Sequence, residues 1–350
     1  MTETIHSSRI SDQYEEDALH FSQSLISNPE RNRSHTYFLL KRGKSFIDKI
    51  WNAYRFVKKN TNDETIASSI DIGYSQFSTL DKWILHSLNI IIEKINLNIE
   101  NARLHEASNI VYRFFRREFC DWYLEFAKLD VQQPGTQKTL HFTLMRLIQT
   151  LHPFMPLITE TILRGMLSLD KEFAIPAEYL QQPEFESKLT FNREYTDIEI
   201  LKKLASETRR VKSINKVKLN PTSVIYLRTD SMKESAIIFR ELRYFNFIVK
   251  SERTEIVSNF SNLPKGYKGA CLNWEILIPI AAEEDRITEL ERLGRELVKI
   301  DATISEIENQ LVDPEFIENA LRTTLIMMKK KLRKTIDLKN KIKETIRDLQ

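Results

Sequence analysis

Glycine is scarce in this chain of 350 residues: seven occur, at positions 43, 73, 135, 165, 266, 269 and 294. Dinucleotide and phosphate-loop sites require glycines at fixed spacing, so that backbone can approach phosphate. No Gly-x-Gly-x-x-Gly and no Gly-x-x-x-x-Gly-Lys run can be drawn from these seven, which excludes both classes of site. Cysteine is scarcer still. Cys120 and Cys271 are too few for a disulfide framework or a thiolate metal site, and each has the apolar neighbours of a packed thiol. Long apolar runs are missing as well: no window approaches the ~20 apolar residues of a membrane span. Residues 1–32 are polar and Ser-rich around one amphipathic patch, without the apolar core of a secretory leader. The expectation is a cytoplasmic protein with no membrane partner. Net charge is +3, too mild to identify a polyanionic partner, so local clustering must decide. His86, His105, His141 and His152 show no metal-ligand spacing, and no Ser-His-Asp, Cys-His or paired-carboxylate set follows from the order of residues. No catalytic residue and no metal ligand is therefore assigned.

What is present is enough apolar residue, 41%, to build cores for two or three domains of ordinary size. Phe46, Ile47, Ile50, Trp51, Tyr54 and Val57 recur at three- and four-residue steps and predict a helix over 36–59. A polar stretch, 60–78, reads as a loop. Ser78 with Asp81 forms a capping-box signal before a helix that buries Leu80, Ile84, Leu88, Ile91 and Ile95. A long helix follows over 104–128, with an apolar set that includes Phe114, Phe115, Phe119, Trp122 and Phe126. Gln133-Pro134-Gly135 ends it. A further helix over 137–151 stops at Pro153, and Pro156 suits the first turn of the next, where no amide donor is missed. These elements predict an antiparallel helical bundle.

Beyond position 180 the period changes. A basic helix over 201–217 precedes predicted strands at 223–228, 245–250, 255–259 and 272–279, with a helix at 231–243 among them, a small α/β module. The tail then carries two heptad seams. Leu290, Leu293, Leu297, Ile300, Ile304, Ile307 and Leu311 form the first; Leu321, Leu325, Met328, Leu332, Thr335, Lys339, Ile342, Ile346 and Leu349 form the second. Asp313-Pro314 lies between them. Two such helices bury their seams against each other as an antiparallel coiled-coil hairpin, with arms roughly 40–45 Å long at 1.5 Å per residue. The fold class expected is thus mainly α. Its parts are a polar segment (1–33), a helical bundle (34–180), an α/β module (181–282) and a coiled-coil arm (283–350).

Two basic clusters are candidates for binding. Arg113, Arg116 and Arg117 lie off the apolar face of their helix, and arginine pairs bidentately with phosphate or stacks on a splayed base. From 329 to 343, eight basic residues face a single acid, Asp337; Lys329, Lys330, Lys331, Arg333 and Lys334 are its densest part. Charge of one sign at that density repels itself unless a polyanion screens it. The bland alternative for both clusters is a solvated face.

Several segments carry a resemblance to valyl-tRNA synthetases, class I aminoacyl-tRNA synthetases. Glu118-Phe119-Cys120-Asp121-Trp122-Tyr123-Leu124-Glu125 and Leu151-His152-Pro153-Phe154-Met155-Pro156-Leu157-Ile158-Thr159-Glu160 resemble that family's anticodon-binding helices. The segment 14–21 is similar to the stretch after its second catalytic signature, and 49–56 to the helix entering the anticodon domain. Residues 209–221 are similar to the stretch after the bundle, and 310–317 to the tip of its C-terminal coiled coil. The resemblance implies a tRNA partner, tRNA-Val by family, held by the bundle at the anticodon arm and by the hairpin at the elbow. It also implies ATP for the full-length family, yet no cofactor for this chain. The family's first signature is His-x-Gly-His and its second begins Lys-Met; here no glycine precedes a histidine and no lysine precedes a methionine. Valine–tRNA ligation would then need a separate catalytic chain in trans. Glu15 and Glu16 before Asp17, and Thr161-Ile162-Leu163 after Glu160, also depart from the family pattern. A repurposed interaction scaffold, using the hairpin against a partner helix, is the alternative.

Overall fold

The computed structural model describes residues 7–26, 36–61, 77–170, 172–215, 217, 224–280, 283–313, 316, 318, 320 and 322–350. The loop expected at 60–78, the Leu219-Asn220-Pro221 stretch, the Asp313-Pro314 turn and Leu321 fall wholly or partly outside them. The chain divides into two compact units, residues 1–199 and 200–350.

The first unit is helical. It comprises α1 (Ser7–Gln13), α2 (Glu15–Ser24), α3 (Thr36–Asn60), α4 (Thr79–Glu100), α5 (Leu104–Arg113), α6 (Leu124–Ala127), α7 (Pro134–Leu151) and α8 (Pro156–Met166). The capping box forms as expected: Ser78 accepts from the Asp81 amide at 3.1 Å, and Asp81 accepts from the Ser78 amide at 3.0 Å. Pro134 and Pro156 both occupy a first helical turn. The core is rich in aromatic rings. Phe21 stacks on Phe46 at 4.8 Å between ring centres, and Phe115 meets Phe46 edge-on at 5.5 Å. Burying each such ring contributes about 2–3 kcal/mol. Gly43 lets α2 and α3 approach closely, since a Cβ there would lie 2.2 Å from the Ala18 carbonyl oxygen.

Between α5 and α6 the helix is a π-helix over Phe114–Tyr123. Its turn, closed by i→i+5 bonds, keeps residues four apart closer to one line than the 3.6-residue α turn does. Phe115, Phe119 and Tyr123, at four-residue steps, are accordingly all fully buried. Trp122, expected in the core, is only half-buried, because Tyr123 takes that place. The Tyr123 hydroxyl donates to Asp81 at 2.6 Å, and Thr136 donates to the same carboxylate at 3.0 Å.

Helix α9 (Asn192–Ile214) contains the boundary between the units and begins earlier than the periodicity predicts. The second unit holds a four-stranded mixed sheet of β1 (Val224–Thr229), β2 (Arg253–Ile256), β3 (Gly266–Cys271) and β4 (Trp274–Pro279), in the order β2-β1-β4-β3. Strands β1 and β2 are parallel, with Val224 opposite Arg253; their crossover carries α10 (Met232–Arg240) and α11 (Leu242–Val249). Strand β4 runs antiparallel to both β1 and β3. The strand expected at 245–250 is thus a helix. Tyr244, Phe245, Ile248 and Val249 are buried at helical spacing, and Lys250 closes the helix in the left-handed conformation at φ 54°. A short apolar run fits a buried helix as well as a strand, and here the parallel crossover decides. Strand β3 went unpredicted because its sequence, GYKGAC, holds two glycines and weak strand formers.

The tail forms α12 (Glu283–Val312) and α13 (Arg322–Leu349), packed as a hairpin. Leu293, Ile300, Ile304, Ile307, Ile342 and Leu349 are buried, and the remaining described seam residues are half-buried. Lys339, a seam position, bonds Asp301 of the other helix at 2.6 Å. Among the described residues, no helix is long and apolar enough to cross a membrane.

Candidate nucleic-acid interface

The three bundle arginines have different surroundings. Arg113 and Arg117 are exposed, four residues apart, and make no ion pair among the described residues. Arg116 is half-buried. Its guanidinium donates to the Tyr112 hydroxyl and lies 5.3 Å from that ring's centre. Arg42 of α3 covers the same ring at 4.4 Å. Burial alone would push the Tyr112 phenol up, but hydrogen bonds and positive charge from Arg42 and Arg116 outweigh it and hold the group below the ordinary tyrosine value. Arg42 therefore ties α3 to α5 through Tyr112, Arg116 braces the same ring from its own helix, and the solvent-facing charge at this place is that of Arg113 and Arg117. Position in the sequence could not reveal this, because Arg42 comes from another helix.

Next to these, Lys49 of α3 bonds Asp121 at 2.7 Å. The Cys120 thiol is pushed up to about 12, chiefly by burial, so it is a packed group and not a nucleophile. Most other bundle cations are matched: Arg146 with Glu186 at 3.0 Å, Arg164 with Glu160 at 2.9 Å and Lys82 with Glu194 at 3.5 Å.

On the hairpin, Lys329, Lys330, Lys331, Arg333 and Lys334 are all exposed, and none makes an ion pair among the described residues. The seam fixes this: Met328 and Leu332 turn inward, so the residues between and after them must face water. Lys339 does not share that freedom, since Asp301 neutralises it. Sequence reading overlooked the partner arm. Helix α13 carries ten basic and three acidic residues, whereas α12 carries nine acidic and four basic. The hairpin thus sets an acidic helix beside a basic one.

A groove of about 790 Å³ opens within the second unit, lined by Arg210, Arg228, Lys265, Lys268 and Lys341 among others. Its charges are partly matched, Arg228 with Glu275 at 2.9 Å and Lys268 with Asp348 at 2.7 Å. Residues from five separate elements line it, α9, β1, β3, β4 and α13, and no local motif marks it.

The remaining segments singled out in the sequence act as connectors. Asp17 of α2 accepts from the Ile158 amide at 2.7 Å and the Leu157 amide at 3.3 Å, capping α8. Burial pushes its carboxyl up, against those two donors. Tyr14 donates to Thr161 at 3.0 Å, and His152 Nδ1 bonds Thr159 at 2.8 Å. Among the described residues, no group of three His, Cys, Asp or Glu side chains is placed to hold a metal ion.

Comparison with known proteins bears on these surfaces. Residues 81–227 match the family described as the anticodon-binding domain of tRNA ligase. The chain is 28% identical over 338 residues to the valine–tRNA ligase of Buchnera aphidicola subsp. Acyrthosiphon pisum, covering 95% of this chain and 35% of that protein. It is 28% identical over 341 residues to the valine–tRNA ligases of Legionella pneumophila strains Paris and Philadelphia 1, covering 94% of this chain and 36% of theirs. The chain therefore spans about a third of the length of the curated relatives it matches.

Proposed function

We propose that this chain, which carries an anticodon-binding domain at residues 81–227 and is similar to valyl-tRNA synthetases along nearly all its length, is the tRNA-gripping C-terminal portion of such an enzyme. In this reading its partner is tRNA, and tRNA-Val by the likeness. Arg113 and Arg117 face the anticodon arm, while Lys329, Lys330, Lys331, Arg333 and Lys334 lie along phosphates elsewhere on the same molecule. Both clusters are exposed and free of ion pairs among the described residues, so they can exchange counterions for phosphate. Valine activation falls to a catalytic chain in trans that binds ATP. Support comes from the residues: none of the seven glycines precedes a histidine, and no lysine precedes a methionine. The complex would work in the cytoplasm.

The observation that carries the reading is the row of five cations held outward by the hairpin seam. A mobility-shift titration of a tRNA-Val transcript with the purified chain tests it. Binding at low salt that weakens steeply as salt rises is expected. No shift at low salt would remove the reading. Valine-dependent ATP–pyrophosphate exchange by the purified chain alone would overturn the assignment of activation to another chain.

A further inference from the structure

Helix α10 packs against β1 and α11 against β2. Ile237, Ile238, Tyr244, Phe245, Ile248 and Val249 turn inward and are buried. The outer side of the pair faces solvent. Its exposed positions step by three and four through the join at Glu241: Met232, Ala236, Phe239, Arg243, Phe247 and Lys250. Three of these are large and apolar, with Met232 89% exposed, Phe239 71% and Phe247 38%. Neither phenylalanine meets another ring among the described residues. Rings so placed contribute little to the core and stand ready for a ligand.

Charge on this side is of one sign. Lys233, Arg240, Arg243 and Lys250 are exposed. The acids of the same helices turn away: Glu241 is buried and bonds Arg240 at 2.9 Å, and Glu234 is half-buried and accepts from Asn273 at 3.0 Å. From Met232 to Lys250 no exposed side chain is acidic. Exposed acids stand beyond the two ends: Asp230, held by Arg228 at 3.0 Å, and Glu252. Arg243 lies between the two phenylalanines in sequence and is held in place, its guanidinium donating to the Tyr244 hydroxyl and lying 4.3 Å from that ring's centre. Lys233 and Lys250 make no ion pair among the described residues.

Exposed rings among cations suit a nucleotide whose base is unstacked. Every base offers a π face to a ring, and Lys and Arg meet the phosphate beside it. An acidic peptide would satisfy the cations but leave both rings and Met232 in water. We propose that the outer face of α10 and α11 is a separate site for unpaired nucleotides of tRNA, with bases stacking on Phe239 and Phe247 and phosphates meeting Lys233, Arg243 and Lys250. The site rests on tRNA being the partner of this chain.

Filter binding of a tRNA-Val transcript to the full chain, over a salt series, tests the proposal. Phe239→Ala/Phe247→Ala is expected to weaken binding at least about 5-fold, the low end for loss of one stacked base. The slope of log K against log salt should hold, because stacking releases no counterion. Phe239→Leu/Phe247→Leu keeps apolar bulk without a ring and should weaken binding too, whereas Phe239→Tyr/Phe247→Tyr should restore it. Lys233→Gln/Lys250→Gln should instead lower the slope by about 1.5. A benzophenone side chain carried at position 239 should crosslink the transcript at unpaired nucleotides. Native affinity in the alanine or leucine variant, with helical content checked by circular dichroism, would overturn this site and leave the tRNA reading standing. So would crosslinks confined to paired stems, or none while binding persists. No binding by the unaltered chain at low salt would remove both.

Discussion

Neutralising the five outward cations of α13 should flatten the salt dependence of tRNA binding by an amount the helix geometry sets. At 3.6 residues per turn, successive residues are separated by ~100°. Taking Lys329 as origin, Lys330, Lys331, Arg333 and Lys334 then lie at ~100°, ~200°, ~40° and ~140°, so the five sweep more than half of the helix surface. A single phosphate ribbon laid on one side meets about three of them, Lys330, Arg333 and Lys334. Each phosphate contact contributes about 0.7–0.9 to the slope of log K against log salt. Three contacts make a slope of roughly 2–3, or roughly 20–40-fold in affinity between 50 and 200 mM salt. Replacing all five by glutamine should remove that factor, read by filter binding across a salt series. Lys339→Gln is the internal control: Asp301 already neutralises Lys339, so the slope should hold. An unchanged slope in a quintuple variant of native helicity would refute the reasoning.

Asp81→Ala strands the Tyr123, Thr136 and Ser78 donors in the bundle interior and removes a helix cap. About 3–5 kcal/mol should be lost in denaturant unfolding, and Asp81→Asn, which keeps an acceptor, should cost clearly less. Two glycines predict opposite signs. Gly43→Ala forces a methyl against the Ala18 carbonyl and should destabilise by about 1–3 kcal/mol, whereas Gly294→Ala meets nothing within 4 Å and should stabilise α12 by about 1 kcal/mol. Burial holds His86 and His141 below the ordinary histidine value; His86 accepts from the Phe191 amide at 3.0 Å, and His141 is half-buried, its covered Nε2 unmatched among the described residues. Both take up protons at lower pH in the fold than in the unfolded chain, where they do so near pH 6.5. Their contribution to stability is thus complete above that pH and declines as pH falls through it. His141→Gln should show a smaller loss of melting temperature between pH 7 and pH 5.5 than the native chain, and an equal loss would count against the assignment.

Long periodic elements were legible from residue order, because a seam repeated over four heptads leaves one arrangement that buries it. The same logic located the cations of α13, since inward Met328 and Leu332 decide where their neighbours point. What order could not supply was anything arising between elements. The apolar run at 242–249 fits helix or strand until the parallel pairing of β1 with β2 demands a crossover. The glycine-bearing β3 is a strand only because β4 lies beside it. Arg116 looks like its neighbours until Arg42 brings a second cation to Tyr112. The acidic composition of α12 could be counted from the start, but its bearing on the basic run needed the two helices side by side.

Asp17 ties α2 to the first turn of α8, across 141 residues of sequence. Mechanically this is a strut. A pull or twist delivered through α2 reaches α8 through this carboxylate and the Tyr14–Thr161 bond, without travelling along the chain between. Whatever is coupled to α2 would therefore move with the bundle as one lever, and Asp17→Ala would loosen its hold on α8 while the packing of Phe21 on Phe46 keeps α2 on α3.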